Sequence, residues 1–207
     1  MNSEWLLPFI WRYRWVWVIG LFLGGGGAYT ATRFLPGLYE STAVVYAAGS
    51  DRDDPLQEIN QDNTLVLLQL LESSFLRERV TRTFDLPAHY RIDTTTREGE
   101  AALIDLYNNR IGFKRTLYKS VLISVKDEDP EFAARLANGI AQLVNPVKKE
   151  IIAGTLQDHE DLMPAAYLVS KAIPGNDPVY PRTLLLTLTG AVLMCLLALG
   201  ILLVFRR

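Results

Sequence analysis

The chain has 207 residues with 21 Lys and Arg, 23 Asp and Glu, and a formal net charge of −2. Residues 36–182 hold 16 Lys and Arg against 22 Asp and Glu, a net of −6, so an acidic middle lies between apolar ends that carry Arg12, Arg14, Arg206 and Arg207. Such a middle excludes nucleic acid as an expected partner, because phosphates need cationic neutralisation, and the single cysteine, Cys195, excludes an intrachain disulfide framework or a cysteine zinc site.

Residues 1–14 read as a cytoplasmic amphipathic lead-in, with Trp5, Trp11, Trp15 and Trp17 suited to a membrane interface. Residues 15–35 read as a first transmembrane helix, uncharged from Trp15 to Thr32 and interrupted by Gly24, Gly25, Gly26 and Gly27. Glycine weakens a helix in water, but in lipid the backbone must bond to itself, so a helix is still expected. The four glycines are candidates for a close helix-packing face, toward the second span, a neighbouring subunit or no partner at all. A cleaved secretory signal is the competing reading, with Arg12 and Arg14 as its basic region and small residues at 28–31; the long, tryptophan-rich lead-in weighs against it.

Residues 36–182 read as one domain, long enough for one core and too short for two. Tyr39 to Ala47 is expected as a strand. Residues 49–55 form a polar turn; Asp51, Asp53 and Asp54 lack the remaining spacing of a calcium loop. A single helix is expected from Asp62-Asn63-Thr64, with a stripe of Leu68, Leu71, Phe75, Leu76, Val80 and Phe84, ending at Asp85-Leu86-Pro87. Arg97 to Asn109 reads as a second helix, Ile111 to Phe113 as a short strand, and Ser120 to Val125 as a firmer strand with Val121, Ile123 and Val125 on one face.

Asp129-Pro130-Glu131 opens the next helix, a capping carboxylate with proline at the first helical position. Phe132, Leu136, Ile140, Leu143 and Val144 give it a core face; Pro146 is expected to kink it and Gly154 to stop it. Ala165 to Ile173 reads as a last strand, leading to a stiff, extended proline segment at 174–182 with Pro174, Pro178 and Pro181. The alternation of strands and helices predicts an α+β domain, an α/β sandwich with its helices on one face of the sheet.

Residues 183–205 carry no charge and, at about 1.5 Å per residue, span roughly 34 Å, enough to cross a bilayer as a second transmembrane helix. Cys195 reads there as a small hydrophobe. Residues 206–207 are then a short cytoplasmic tail. The positive-inside rule puts both termini in the cytoplasm and the domain outside it, periplasmic in a bacterium with an inner membrane.

Catalytic groups are sparse. His89 sits beside Pro87 in an expected loop, and His159 lies in Asp158-His159-Glu160-Asp161, which reads as a solvated acidic turn. There is no phosphate-binding loop and no nucleophile elbow. The chain is therefore expected to be no enzyme, with no catalytic, cofactor-binding or metal residues and no cofactor.

The order of parts resembles the polysaccharide co-polymerases, the chain-length-determinant (Wzz-type) family. The resemblance rests on Trp11-Arg12-Tyr13-Arg14-Trp15 before the first span and Tyr39-Glu40-Ser41-Thr42-Ala43 after it. It rests further on Glu72-Ser73 with Phe75-Leu76, Val80 and Phe84-Asp85-Leu86, and on Leu122-Ile123-Ser124-Val125 followed by Asp129-Pro130-Glu131, Ala133-Ala134 and Ala137-Asn138. Pro174, Pro178 and Pro181-Arg182 before the last span complete it.

The resemblance implies a homo-oligomeric ring in the inner membrane beside a polysaccharide polymerase or glycosyltransferase, in contact with lipid and with the glycan. It would regulate the chain length of O-antigen, capsule or exopolysaccharide. Set against the family, no long helical extension is expected after the Asp-Pro-Glu helix, no fused kinase domain, and no cytoplasmic tail longer than residues 206–207. The alternative is a structural or adaptor subunit of another envelope machine, for secretion, motility or signalling, built on the same domain.

Overall fold

The computed structural model describes residues 11–48, 63–155 and 165–204. The tip of the lead-in, the Asp51–Asp54 turn, the His159 cluster and the terminal Arg206 and Arg207 lie outside them. The chain divides into two compact units, one of residues 38–177 and one that joins residues 1–37 to 178–207. The α/β unit is thus slightly shorter than the expected 36–182, and Pro178 and Pro181 belong with the terminal helices.

The larger unit is α+β with one antiparallel sheet. Its strands are β1 (Leu38–Ala48), β2 (Ile111–Arg115), β3 (Ser120–Asp127) and β4 (Ala165–Ser170), in the order β2-β3-β1-β4. The register places Ser41 opposite Val125, Ala43 opposite Ile123 and Val45 opposite Val121. All six are buried, and their sequence neighbours Thr42, Val44, Leu122 and Ser124 are not. One sheet face is therefore covered, as the period-2 alternation requires.

Helix α1 (Arg14–Thr32) belongs to the other unit. Within the larger unit, helices α2 (Asn63–Leu71) and α3 (Ser74–Thr83) replace the single helix expected from residue 62 to 84. Ser73 breaks it: its backbone is extended and its Oγ accepts from the Leu76 amide at 3.2 Å, which caps a new helix. Phe75, expected on the core stripe, is 58 % exposed as a result, while Leu76 and Val80 are fully buried. Asp85 ends α3 in the left-handed region, and the chain re-enters a short helix α4 (Leu86–Tyr90) with Pro87 in its first turn. Proline there starts a helix rather than stopping one.

Helix α5 (Arg97–Arg110) is capped by Thr96, whose Oγ1 accepts from the Gly99 amide at 3.1 Å. Helix α6 (Pro130–Thr155) starts as expected, with Asp129 Oδ1 accepting from the Glu131 amide at 2.9 Å. It continues through Pro146 and one residue beyond Gly154. Its Ala133, Ala137 and Ala141 are small enough to let the helix lie close on the sheet, and Leu136, Ile140 and Val144 fill the core. At Gly139 a Cβ would collide with the ring of Phe84, so the end of α3 reaches α6 only because that position has no side chain. The last strand ends at Ser170, three residues before the expected Ile173.

The second unit holds α1, the three-residue strand β5 (Pro178–Tyr180) and α7 (Thr183–Val204). Residues 183–202 of α7 are long and apolar enough to cross a membrane by length and composition, and α7 is the one helix among the described residues that meets this measure. Helix α1 falls short because five glycines, two tryptophans and its tyrosine and threonines dilute the aliphatic residues; it also ends at Thr32 rather than at residue 35. Both helices leave large apolar side chains uncovered, among them Phe22 at 73 % and Leu184 at 80 % exposure.

Candidate functional site

Three constructions hold side chains in places that elementary packing alone would not. The first joins α1 to α7. A Cβ placed on Gly24 would lie 2.5 Å from the Gly190 carbonyl oxygen and 2.7 Å from Met194 Cγ; one placed on Gly190 would lie 2.7 Å from Ala28 Cβ. The helices therefore meet backbone to backbone, the close approach that glycine permits. Gly25 makes ordinary contact with Ala191 Cβ, 3.7 Å from its would-be Cβ, whereas Gly26 and Gly27 have nothing within 4 Å. Their carbonyls instead accept from Thr30 Oγ1 at 3.1 and 2.9 Å. Of the four glycines singled out from the sequence, two face the second helix and two face away from it.

The second construction is a polar node at the end of β3. Asp127 is only 2 % exposed. Its carboxylate accepts from the Tyr90 hydroxyl at 2.6 Å and from the Asp129 amide at 2.9 Å, and His89 Nε2 lies 3.3 Å from both of its oxygens. The His89 ring stacks on Phe132 with centroids 3.7 Å apart, and the Arg110 guanidinium lies over the Tyr90 ring and 3.7 Å from Glu128. Burial, together with the hydrogen bond to the Asp127 carboxylate, pushes the Tyr90 hydroxyl well above its ordinary range. His89 lies in α4 rather than in the loop expected for it. The node ties α4, β3 and the start of α6 together. Among the described residues no group of three or more His, Cys, Asp or Glu is placed to hold a metal ion.

The third construction uses two asparagines on α6. Asn145 Oδ1 accepts from the Ala166 amide at 2.9 Å, and its Nδ2 donates to the Ala166 carbonyl at 2.8 Å. Asn138, two turns earlier, repeats this on Ala172 at 2.8 and 2.9 Å. Each carboxamide supplies one donor and one acceptor, as a neighbouring strand would. At Ala166 this occupies backbone groups of an edge strand that would otherwise be open to pairing with another chain. The edge segment is thus fastened along α6 as far as Ala172, just ahead of the proline segment at 174–182. Pro174 and Pro178 are exposed, and Pro181 follows a cis bond from Tyr180.

Neither the Asp127 node nor the asparagine pairs were anticipated. In the sequence Asn138 is only the neighbour of Ala137, and no spacing rule links positions 38 or 34 residues apart. No model of a known protein family matches the chain, and no curated protein matches it.

Proposed function

We propose that this protein is a non-enzymatic, two-pass inner-membrane scaffold that regulates surface polysaccharide polymerisation as a homo-oligomer. Its substrate machinery would be a polymerase or glycosyltransferase beside it, and its product O-antigen, capsule or exopolysaccharide. The observation that carries the reading is the backbone contact of α1 with α7 at Gly24 and Gly190. Two apolar helices that pack this closely, from opposite ends of the chain, support a paired anchor from which a single α/β domain is held outside the cytoplasm. The ordered motifs of the co-polymerase family, from the Tyr39 strand through the Asp-Pro-Glu helix to the prolines, support the link to polysaccharide.

One observation favours a second reading, an adaptor in another envelope machine. Helix α6 ends at Thr155 and β4 begins at Ala165, and the residues numbered between them are too few for a long helical extension. The surface polysaccharide of cells with and without the gene, resolved by length on a gel, decides between them. The regulator predicts a lost or shifted modal length that complementation restores. An unchanged distribution with the protein expressed overturns it, and co-purification with an unrelated envelope complex would then support the adaptor.

A further inference from the structure

The paired helices α1 and α7 bring two arginines to one level. A Cβ on Gly20 would lie 3.9 Å from the Met194 carbonyl oxygen, and one on Gly190 would lie 2.7 Å from both the Gly24 carbonyl oxygen and Ala28 Cβ. The helices are therefore antiparallel, and Gly190 stands midway between Gly24 and Ala28. Arg182 lies eight residues before Gly190, and Arg33 lies seven residues beyond that midpoint of α1. At 1.5 Å per residue both stand roughly 11 to 12 Å from the Gly190 level, in the same direction. Arg33 keeps the right-handed helical conformation past Thr32, and the Arg182 carbonyl accepts from the Leu186 amide at 3.0 Å, so both belong to helix ends. The chain segments beyond them stay together, since a Cβ on Gly37 would lie 3.3 Å from Pro178 Cβ.

Nothing nearby in the sequence balances these charges. No Asp or Glu occurs from residue 5 to 39 or from residue 178 to 207. Both arginines are exposed, and neither has an ion-pair partner among the described residues. Tyr29 steadies Arg33: its hydroxyl accepts from Nη2 at 3.4 Å, and the guanidinium carbon lies 5.8 Å from its ring centre. Two like charges at one level repel each other, and an anion bound by both turns that repulsion into attraction.

Position selects the anion. Residues 183–205 carry no charge, so Arg182 stands where the apolar run of α7 begins, the level at which a bilayer places its headgroup phosphates. Phe34 and Tyr180, beside the two arginines in sequence, are 89 % and 45 % exposed, and such aromatic side chains favour the boundary between headgroups and acyl chains. A free anion in water gains nothing from these apolar flanks, whereas a lipid does.

We infer that Arg33 and Arg182 together bind the phosphate of an anionic phospholipid where the two helices leave the bilayer. The planar fork of each guanidinium donates parallel N–H bonds to phosphate oxygens. Phosphatidylglycerol offers such a phosphate with no cation beside it. Phosphatidylcholine carries its own cation, which competes with the arginines. The inference rests on the paired-anchor part of the proposed function and adds a defined lipid site to it.

The test titrates the full chain in detergent micelles with phosphatidylglycerol, phosphatidylcholine or inorganic phosphate and counts bound molecules by native mass spectrometry. The first phosphatidylglycerol is expected to bind about tenfold more tightly than phosphatidylcholine. Arg33→Gln and Arg182→Gln should each weaken it about three- to tenfold, the scale of one charge-assisted hydrogen bond at an exposed position. Arg33→Lys should weaken it less, because the charge remains. Arg79→Gln, on α3, should leave it unchanged, and circular dichroism verifies that each variant is folded. Equal affinity for the two lipids, lipid binding that survives both glutamine substitutions together, or tighter binding of inorganic phosphate than of lipid overturns the inference. The anchor is tested separately by Phe34→Cys in a Cys195→Ser background, labelled in spheroplasts with a membrane-impermeant thiol reagent. Lipid selectivity without labelling would keep the site and reject the two-pass reading; labelling without selectivity would do the reverse.

Discussion

Replacing Gly24 by alanine tests the helix pair directly. The new methyl would start 2.5 Å from the Gly190 carbonyl oxygen, and contacts below 3.4 Å are already tight, so α1 and α7 must move apart by roughly 0.9 Å. A gap of that size forfeits about a quarter to a half of each dispersion contact along the seam, and overpacking of this kind costs about 1–3 kcal/mol. Gly26→Ala is the matched control. It gains the same helix propensity, about 1 kcal/mol in water, yet meets nothing within 4 Å. All four tryptophans, Trp5, Trp11, Trp15 and Trp17, precede Val18, so tryptophan fluorescence during denaturation in mixed micelles reports on this unit alone. The expected order of stability is Gly24→Ala below wild type, with Gly26→Ala at or above it. If Gly24→Ala proves as stable as Gly26→Ala, the backbone contact is not what joins the helices.

Asp127→Ala removes the acceptor shared by Tyr90, His89 and the Asp129 amide, and should cost about 2–4 kcal/mol in chemical denaturation followed by circular dichroism; a loss under 1 kcal/mol would show that the node contributes little. Asn145→Ala strips both partners from Ala166 and should raise amide exchange there well above that of the Val121 and Ile123 amides, an effect that Asn138→Ala should produce at Ala172 instead. Tyr90 and Tyr107 hold their protons above the ordinary tyrosine value of 10.0 when folded, chiefly because burial disfavours the phenolate. The unfolded chain releases those protons first, so their contribution to stability is complete below pH 10.0 and is lost as pH rises beyond it. Denaturation midpoints measured across that boundary should fall with pH, and Tyr107→Phe should flatten the fall; identical slopes would contradict the assignment. Lys119 holds φ at 55°, so Lys119→Gly should stabilise by about 0.5–1 kcal/mol, read as a rise in the denaturation midpoint.

The elements most legible in the sequence were those whose local signals agree with one another. Val121, Ile123 and Val125 alternate along one face, and Asp129-Pro130-Glu131 joins a cap to the best residue for a first helical turn; both elements stand where those patterns put them. Where two local readings competed, the weaker one won. Leu68, Leu71, Phe75 and Leu76 are spaced as for one helix, but Ser73 between them can cap a new one, and it does. Pro87 reads equally as a terminator or as a starter, and the left-handed Asp85 before it decides for the latter. The polar contacts were illegible for a different reason. Asp127 acts two residues ahead of the carboxylate that advertises the helix, and its partners lie 37 and 38 positions away. Asn138 and Asn145 lie in mid-helix, where asparagine is merely a poor helix former unless something outside the helix needs its amide.

These hidden contacts bear on what a scaffold needs. Hydrophobic burial is non-directional and tolerates sliding of a helix over a sheet, whereas a hydrogen bond between named atoms does not. The antiparallel register sets Tyr39 opposite Asp127 at one end of β1 and Tyr46 opposite Ser120 toward the other. At the first end the Asp127 node fixes α4 and the start of α6. Near the other, Thr64 Oγ1 donates to the Lys119 carbonyl at 2.9 Å and fixes the start of α2 to the turn between β2 and β3. Between them the two asparagines hold the edge segment along α6 at points six residues apart, Ala166 and Ala172. The helices on the covered face are thereby pinned at positions that packing alone would leave adjustable. A regulator that sets product length by geometry requires that stiffness, because a domain that yields under the growing chain could not set a length. An adaptor that only recruits a partner does not require it. On the proposed chain-length reading, loosening the edge by Asn138→Ala with Asn145→Ala, in a protein that still folds, should broaden the polysaccharide length distribution without abolishing it, and an unchanged distribution would count against a role for the domain's rigidity.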